Sequence, residues 1–377
     1  MAVYCFSILT FLSFTYYIAA FLCTLTVFRE KGEETEMPHF EGISFLKPIT
    51  GEVYNLYNNI KSFLDLRAIP IEILFGVSSK DDPAYGILTK LENEFPGICK
   101  IILCSNHKKY SNEKVGKLIT LTEHARYDII NISDADVLVP QDFLQSLTHI
   151  KNAGMVTNLY RGIHNEGIGG HLEVITILSD IFQGVCMAKI FHGINYGFGA
   201  SMFLTKQSLE SIGGYEALGN MLADDYHLGN KISKNGNPVT LSTILVNTVV
   251  GKSNFKNYFV RQLRLCKTYR VSEPVGYFLF GISFGSVWSL LLCFFTSFSL
   301  PAISLFGTAI ILRFLSITLT GTLLSKIPFS WVYLLVPIQE FLGFYTWLLS
   351  FCGNKITWKN KKFVLGKDGT IAQINPE

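Results

Sequence analysis

Two long stretches of this chain carry no charged side chain, and they limit what it can fold into. Residues 2–28 contain none. At about 1.5 Å per helical residue, such a run exceeds the roughly 20 residues that cross a bilayer. A second stretch, 275–312, is also uncharged; Arg313 interrupts it and 314–325 resumes. A signal peptide opens on Lys or Arg and closes on small residues at a cleavage site. Here the first basic residues, Arg29 and Lys31, come after the run. Residues 1–30 therefore read as a transmembrane anchor, with the N-terminus outside and the following domain cytoplasmic.

Pro301 and Pro328 divide the membrane region 276–353 into candidate segments 276–298, 302–324 and 329–352. The tail, 354–377, carries Lys355, Lys359, Lys361, Lys362 and Lys367 and is expected in the cytoplasm. Three full spans that begin inside end outside. One segment, either 276–298 or the one carrying Glu340, is thus expected to re-enter or lie along the interface.

Composition narrows the function classes. Of 377 residues, 49% are hydrophobic and only 16% charged, against about a quarter charged in soluble domains. That excludes a disordered chain or a coiled coil. A net charge of +3 lacks the concentrated basic stripe of a nucleic-acid binder. The eight cysteines are scattered without a CxxC pair, which argues against a zinc site or disulfide framework and suits a reducing cytosol. Asn131-Ile132-Ser133 matches a glycosylation sequon, but lies in a β-rich run on the predicted cytoplasmic side, so it reads as chance.

Between 40 and 255 the pattern is α/β. Short apolar runs at 43–46, 71–77, 101–103 and 128–132 alternate with helical spacing at 57–66, 84–95 and 114–125. This alternation implies a parallel sheet with helices on both faces. Such sheets bind ligands outside the carboxyl ends of their strands. Lys47-Pro48, residues 78–83 and residues 134–136 each follow a strand and are expected to meet at one crevice.

Asp134-Ala135-Asp136 is the first chemical candidate. Two carboxylates at a strand exit are what Mg²⁺ or Mn²⁺ needs from a protein when phosphate oxygens supply the rest of its shell. Asp224-Asp225 is the second. It opens a helical pattern, so it can serve as a cap, or a desolvated member of the pair can act as a general base. The third is Arg261-Gln262-Leu263-Arg264-Leu265 with Lys267 and Arg270, which suits either an anchor to anionic headgroups or a bidentate grip on phosphate. Lys114 and Lys117 share a helical face and can reach phosphate or water. Gly197-Phe198-Gly199-Ala200 permits close backbone approach. His227 reads as structural or solvated.

Taken in order, Phe45-Leu46-Lys47-Pro48-Ile49-Thr50-Gly51, Asp82-Pro83-Ala84, Asn112-Glu113-Lys114-Val115, Ser133-Asp134-Ala135-Asp136, Leu222-Ala223-Asp224-Asp225-Tyr226 and Arg261-x-x-Arg264 form a series. It resembles the ceramide glucosyltransferase family, glycosyltransferase family 21, including its bacterial hopanoid-associated branch. Tyr160-Arg161-Gly162, Gly213-Gly214-Tyr215 and Ile356-Thr357-Trp358-Lys359 extend the likeness. The resemblance implies a GT-A, Rossmann-like nucleotide-sugar domain over 40–255, a juxtamembrane segment at 256–275, and a divalent metal, Mg²⁺ or Mn²⁺. It implies inverting transfer from a UDP-sugar, such as UDP-glucose or UDP-N-acetylglucosamine, to the hydroxyl of a lipid such as ceramide or a hopanoid.

The same resemblance gives Lys47, Pro48, Asp82, Lys114 and Asp134 to the nucleotide-sugar, and Asp134 with Asp136 to the metal. Asp225 becomes the base, and Arg261 with Arg264 the (Q/R)xxRW element. Leu265 departs from the pattern: Trp is usual there, and in related enzymes that Trp lines the acceptor site. The implied membrane is a bacterial inner membrane, or the Golgi or ER in a eukaryote. Rival readings are a processive polysaccharide synthase, which needs more spans, a polyprenyl-phosphate glycosyltransferase, and a nucleotide-binding membrane scaffold.

Overall fold

Runs rich in β-branched and aromatic residues bury their two faces by pairing side by side, and the centre of this chain does so. A computed structural model describes residues 1–30, 38–66, 68–105, 109–359 and 361–374; Lys31 lies outside them. The strands are β1 (Ile43–Pro48), β2 (Ile71–Val77), β3 (Cys99–Leu103), β4 (Ile129–Ile132), β5 (Val137–Leu138), β6 (Met155–Glu166), β7 (Met202–Thr205) and β8 (Val239–Lys252). They form an eight-stranded sheet in the order β3-β2-β1-β4-β7-β6-β8-β5.

Strands β1, β2, β3 and β4 are mutually parallel where they pair, with Leu46 opposite both Leu74 and Ile132. Beyond β4 the sheet is mixed: β7 runs antiparallel to β4 and β6, and β5 antiparallel to β8. The all-parallel expectation therefore holds for one half only. The short β5 and β7 are not reached through the βαβ crossovers that enforce parallel pairing. Alternate residues of β1 serve opposite faces. Phe45 packs with Phe63, Phe75, Phe143 and Phe203, while Leu46 packs with Leu74, Leu118, Leu121 and Leu204.

The chain divides into two compact units. The α/β unit comprises Gly32–Ile163, Ile194–Val250 and Phe363–Glu377; the other comprises Met1–Lys31, His164–Gly193 and Gly251–Lys362. Two expectations change. Residues 164–193, read above as part of the catalytic domain, belong with the apolar helices. Residues 363–374, read above as part of the basic cytoplasmic tail 354–377, belong to the α/β unit, where Phe363, Leu365 and Ile371 are buried.

Among the described residues four helices are long and apolar enough to cross a membrane: Ala2–Arg29, Gly167–His192, Leu300–Leu324 and Trp331–Ser350. A fifth candidate, Pro274–Ser283 with Gly285–Phe295, is bent by 59°. Gly167–His192 is not a charge-free run, because it carries Glu173, Asp180 and Lys189. Each of these has a partner. Glu173 pairs with Arg261 at 3.3 Å and accepts from Gln262 Nε2 at 2.7 Å. Asp180 lies 3.4 Å from Arg313, and Lys189 2.7 Å from Glu30.

Glu340, fully buried, is satisfied in the same way, as an ionisable group in an apolar helix bundle must be. Its carboxylate accepts from Tyr17 Oη at 2.9 Å and from the Ser286 N–H and Oγ at 2.9 and 2.7 Å. Tyr17 Oη also accepts from Gly285 N–H at 2.7 Å. Tyr17→Phe would strand an N–H donor and weaken the carboxylate's shell. We expect about 1–3 kcal/mol of destabilisation, read as a lowered thermal midpoint in detergent; an unchanged midpoint would mean water replaces the phenol.

Candidate active site

The parallel strands end in register, so their exits lie along one edge. β1 gives way to Ile49-Thr50-Gly51, β2 to the 78–83 loop and β4 to Ser133-Asp134-Ala135-Asp136. Asp82 ties the first two exits together. Its carboxylate accepts from Gly51 N–H at 3.0 and 3.1 Å and from Ala84 N–H at 3.0 Å. Gly51 has φ +74° with nothing near its would-be Cβ, so conformation alone asks for glycine there. Lys117, fully buried, donates to Ile49 O and Thr50 Oγ1. Of the two lysines expected on one helical face, Lys117 thus holds the β1 exit loop from within.

Lys47 and Lys114 differ in the same manner. Lys47 is 0% exposed, lies over the Phe63 ring at 3.5 Å and donates to Asp134 O at 3.3 Å. Burial pushes its ammonium down to about 7, against the pull of Asp134 and Asp136. Its place is beneath Asp134. Pro48 next to it is half-buried at the end of β1.

Lys114 is in the first turn of helix Glu113–His124, capped by Asn112, whose side chain accepts from the Lys114 and Val115 N–H groups. Lys114 Nζ is 2.9 Å from Asp134 Oδ1 and 3.4 Å from Asp224 Oδ2. Burial works against its charge, but Asp134, Asp224 and Asp225 outweigh burial and hold its pKa well above the ordinary lysine value.

Gly199 is the meeting point of the acidic groups. Its carbonyl accepts from Asp134 N–H at 3.1 Å, and its own N–H donates to Asp225 Oδ2 at 2.7 Å. A Cβ on Gly199 would lie 3.2 Å from Asp134 Oδ2, 3.2 Å from Asp225 Oδ2 and 3.3 Å from Lys114 Nζ. The two carboxylate oxygens are therefore no further apart than twice that distance. The sequence offered Gly199 only as part of a permissive glycine turn; its role became visible once both acids were placed.

Helix Asp224–Lys234 carries the second acidic pair in its first turn, where the helix dipole favours carboxylates. The cap position is Ala223, and neither aspartate caps with its side chain in the expected way. Asp224 instead accepts from Asn112 Nδ2 at 3.3 Å and faces Lys114. Asp225 accepts from Gly199 and Tyr226 N–H groups, the latter at 2.9 Å. Burial, and after it Asp224, push Asp225 up to about 6, with Lys114 and the two N–H groups pulling the other way. A carboxylate near 6 can take a proton at neutral pH. Asn112 is the residue that sequence reasoning quoted without a role; it links the Lys114 helix to Asp224.

Asp134 and Asp136 are both half-exposed, as a reachable ion would require. Among the described residues no cluster of three His, Cys, Asp or Glu side chains could cage a metal. The donor set fits an ion that takes one or two carboxylates and completes its shell with phosphate and water. An aromatic group flanks Asp225, with Tyr196 stacked on Tyr226 at 5.7 Å and meeting Phe198 at 5.5 Å. On β6, Arg161 Nε donates to Asn247 Oδ1 at 2.7 Å.

Arg261 and Arg264 belong to the other unit, on helix Phe255–Ser272. There Arg261 faces Glu173, and Arg264 lies 6.0 Å from the Trp358 ring. Lys267 donates to Lys355 O at 3.0 Å and Arg270 to Asn354 at 2.7 Å. The basic cluster is thus tied to protein partners within its own unit.

Comparison with known proteins gives the family and the fold. The chain is 26% identical to ceramide glucosyltransferase 1 of Caenorhabditis elegans over 386 residues, 96% of this chain and 79% of that protein. It is 25% identical to ceramide glucosyltransferase 3 of the same organism, over 62% of this chain and 51% of that one. Among solved structures, a mannosyltransferase from Pyrobaculum calidifontis, described in complex with GDP-Man and Mn²⁺, superposes with a TM-score of 0.57 at 14% identity. That match covers 91% of this chain and 99% of the other; it shows a shared GT-A fold. The model of glycosyl transferase family 21 matches residues 5–371. With its acidic residues gathered at the carboxyl edge of a GT-A sheet and that match spanning nearly its whole length, the chain belongs to glycosyl transferase family 21 and is a glycosyltransferase.

Proposed function

We propose that this enzyme moves glucose from UDP-glucose to the hydroxyl of a ceramide-like membrane lipid in one inverting step. The observation that carries the reading is Gly199, bonded through its carbonyl to Asp134 N–H and through its N–H to the Asp225 carboxylate. It sets a proton acceptor beside the group expected to meet the donor's diphosphate. The names of the ceramide glucosyltransferase relatives support glucose and ceramide as the substrates.

In this scheme Asp225 removes the proton from the acceptor hydroxyl as its oxygen bonds to the anomeric carbon. The bond from that carbon to the diphosphate oxygen breaks on the opposite side, and UDP leaves with the electron pair. Asp134 and Asp136 would hold Mg²⁺ or Mn²⁺, which neutralises charge on the departing diphosphate when bound; the Mn²⁺ named with the mannosyltransferase supports this. Lys47 supports the Asp134 backbone from below. Asp82 keeps the β1 exit in place for the nucleotide, with Pro48 at its base. Arg261 and Arg264 are assigned to the leaving group by resemblance.

The chain's connectivity supports a topology. It leaves the α/β unit at Ile163 and re-enters it at Ile194, which supports a helix Gly167–His192 that begins and ends on one side of the bilayer. Residues 363–374 belong to the same unit, so an even number of crossings separates them from Val250. Leu300–Leu324 and Trp331–Ser350 supply two, and the bent pair 274–295 re-enters. Arg29 at the end of the first helix supports a cytoplasmic α/β unit.

Incubating the detergent-purified enzyme with Mn²⁺ or Mg²⁺, a panel of UDP-sugars and ceramide, diacylglycerol or hopanoid, followed by mass spectrometry, tests the scheme. A single hexose on ceramide is expected, with product lost in EDTA and regained on adding the ion. Polymeric product, or a polyprenyl-phosphate sugar instead, would overturn it.

A further inference from the structure

A hairpin at 361–373 packs against the segment that carries the second acidic pair. Strands Lys361–Leu365 and Ile371–Gln373 pair antiparallel, with Phe363 opposite Gln373 and Leu365 opposite Ile371. The tip of this hairpin is tightly built. Gly366 N–H donates to Thr370 O at 2.7 Å, and Asp368 Oδ1 accepts from Thr370 N–H and Oγ1 at 3.1 and 2.6 Å. The tip is bonded to the segment that leads into the acidic pair. Leu222 N–H donates to Gly369 O at 3.0 Å, Ile371 N–H to Asn220 O at 2.8 Å, and Met221 bridges Thr370 antiparallel.

The same tip bears on the helix that follows. Gly369 has φ +85°, and a Cβ there would lie 2.5 Å from His227 Nε2. His227 N–H donates to Ala223 O at 3.0 Å, closing the first helical turn in which Asp224 and Asp225 lie. His227 Nε2 has no hydrogen-bond partner among the described residues, so the glycine meets the ring by contact alone. On its other side Asp225 is held by loop 197–199, through Gly197 N–H to its carbonyl at 3.2 Å and Gly199 N–H to its carboxylate.

We propose that the hairpin tip at 366–370 is a positioning element for Asp225, with Gly369 its contact residue against the His227 ring. The element works by fixing both the strand entering the helix and the helix's first turn, so that the carboxylate faces Gly199. This rests on Asp225 being the base. A small displacement of a reacting group costs on the order of 10²-fold in rate, while donor binding, held by β1, β2 and β4 exits, would not change.

Gly369→Ala is expected to lower kcat by at least about tenfold, with the UDP-sugar KM within about twofold of wild type. Adding His227→Ala removes the ring that the new methyl meets. The double variant is expected to regain most of the kcat of His227→Ala alone, although the strain of a non-glycine residue at positive φ remains. Asp368→Ala, at an exposed position, guards against a fold that fails: it loosens the tip and should lower kcat a few-fold without changing the donor KM.

Unchanged kcat in Gly369→Ala, or no recovery in the double variant, would overturn the contact. Unchanged kcat in Asp368→Ala would overturn the clamp. Asp225→Asn is assayed alongside: if it keeps turnover, the assignment of the base fails whatever the hairpin variants do. If it alone is inactive, the base stands and the clamp falls.

Discussion

Asp225→Asn is expected to reduce sugar transfer by about 10²–10⁴-fold, the usual contribution of a general base, while calorimetric donor affinity stays within a few-fold. The substitution keeps the size of the side chain, and its amide oxygen can still accept from Gly199 N–H, now 2.7 Å from the carboxylate. What it removes is the proton acceptor. The same assignment fixes the pH dependence. Burial first, and Asp224 second, raise the Asp225 carboxyl to about 6, so kcat should climb as pH rises through that value and the carboxylate forms. Asn at 225 should leave a residual rate without that acid limb. If donor affinity falls as far as the rate does, Asp225 belongs to diphosphate or metal binding.

Sequence and structure agree where chemistry repeats locally and part where it depends on long-range partners. The β1, β2 and β4 exits were readable because apolar β-branched runs end abruptly at Lys47-Pro48, at Val77 and at Asp134, and parallel pairing lines such ends up. Asp134 and Asp225 were readable because each opens or closes an element. The membrane helices 300–324 and 331–350 followed from scarce charge, a single ionisable residue in each, Arg313 and Glu340. Helix 167–192 did not, because Glu173, Asp180 and Lys189 look like a soluble surface until Arg261, Arg313 and Glu30 are placed against them. The hairpin at 361–373 was hidden by its lysines: Lys361, Lys362 and Lys367 suggest a basic tail, whereas Phe363 and Leu365 between them and Ile371 after them are buried. Lys47 and Lys117 show what a sequence leaves out. A lysine beside a strand exit suggests phosphate or water as its partner, but Lys47 donates to Asp134 O and Lys117 to Ile49 O and Thr50 Oγ1.

Lys114→Met tests the electrostatic core of the site, and its effect should be largest on stability. The ammonium lies 3.4 Å from Asp224 Oδ2, with the two side chains only 15% and 7% exposed. Removing one partner of a buried pair costs about 3–5 kcal/mol, because the other charge is left uncompensated. Its contact with Asp134, 2.9 Å away but with that side chain 44% exposed, adds little. The sign with pH follows from which groups titrate. Lys114, held well above the ordinary lysine value after burial has worked against it, keeps its proton throughout pH 5–8. Any slope in the difference between wild type and variant therefore comes from the carboxylates. Without Lys114, which pulls Asp225 down, that carboxyl holds its proton to higher pH, so the variant should be most destabilised at pH 8 and less so at pH 5. Lys114 also pulls Asp225 down, so its loss should move the acid limb of kcat above pH 6. Thermal denaturation in detergent at both pH values, with the kcat profile alongside, checks both effects. Equal destabilisation at pH 5 and 8 with an unmoved limb would mean that Lys114 acts through its aliphatic stem and that the acidic groups do not share one electrostatic site.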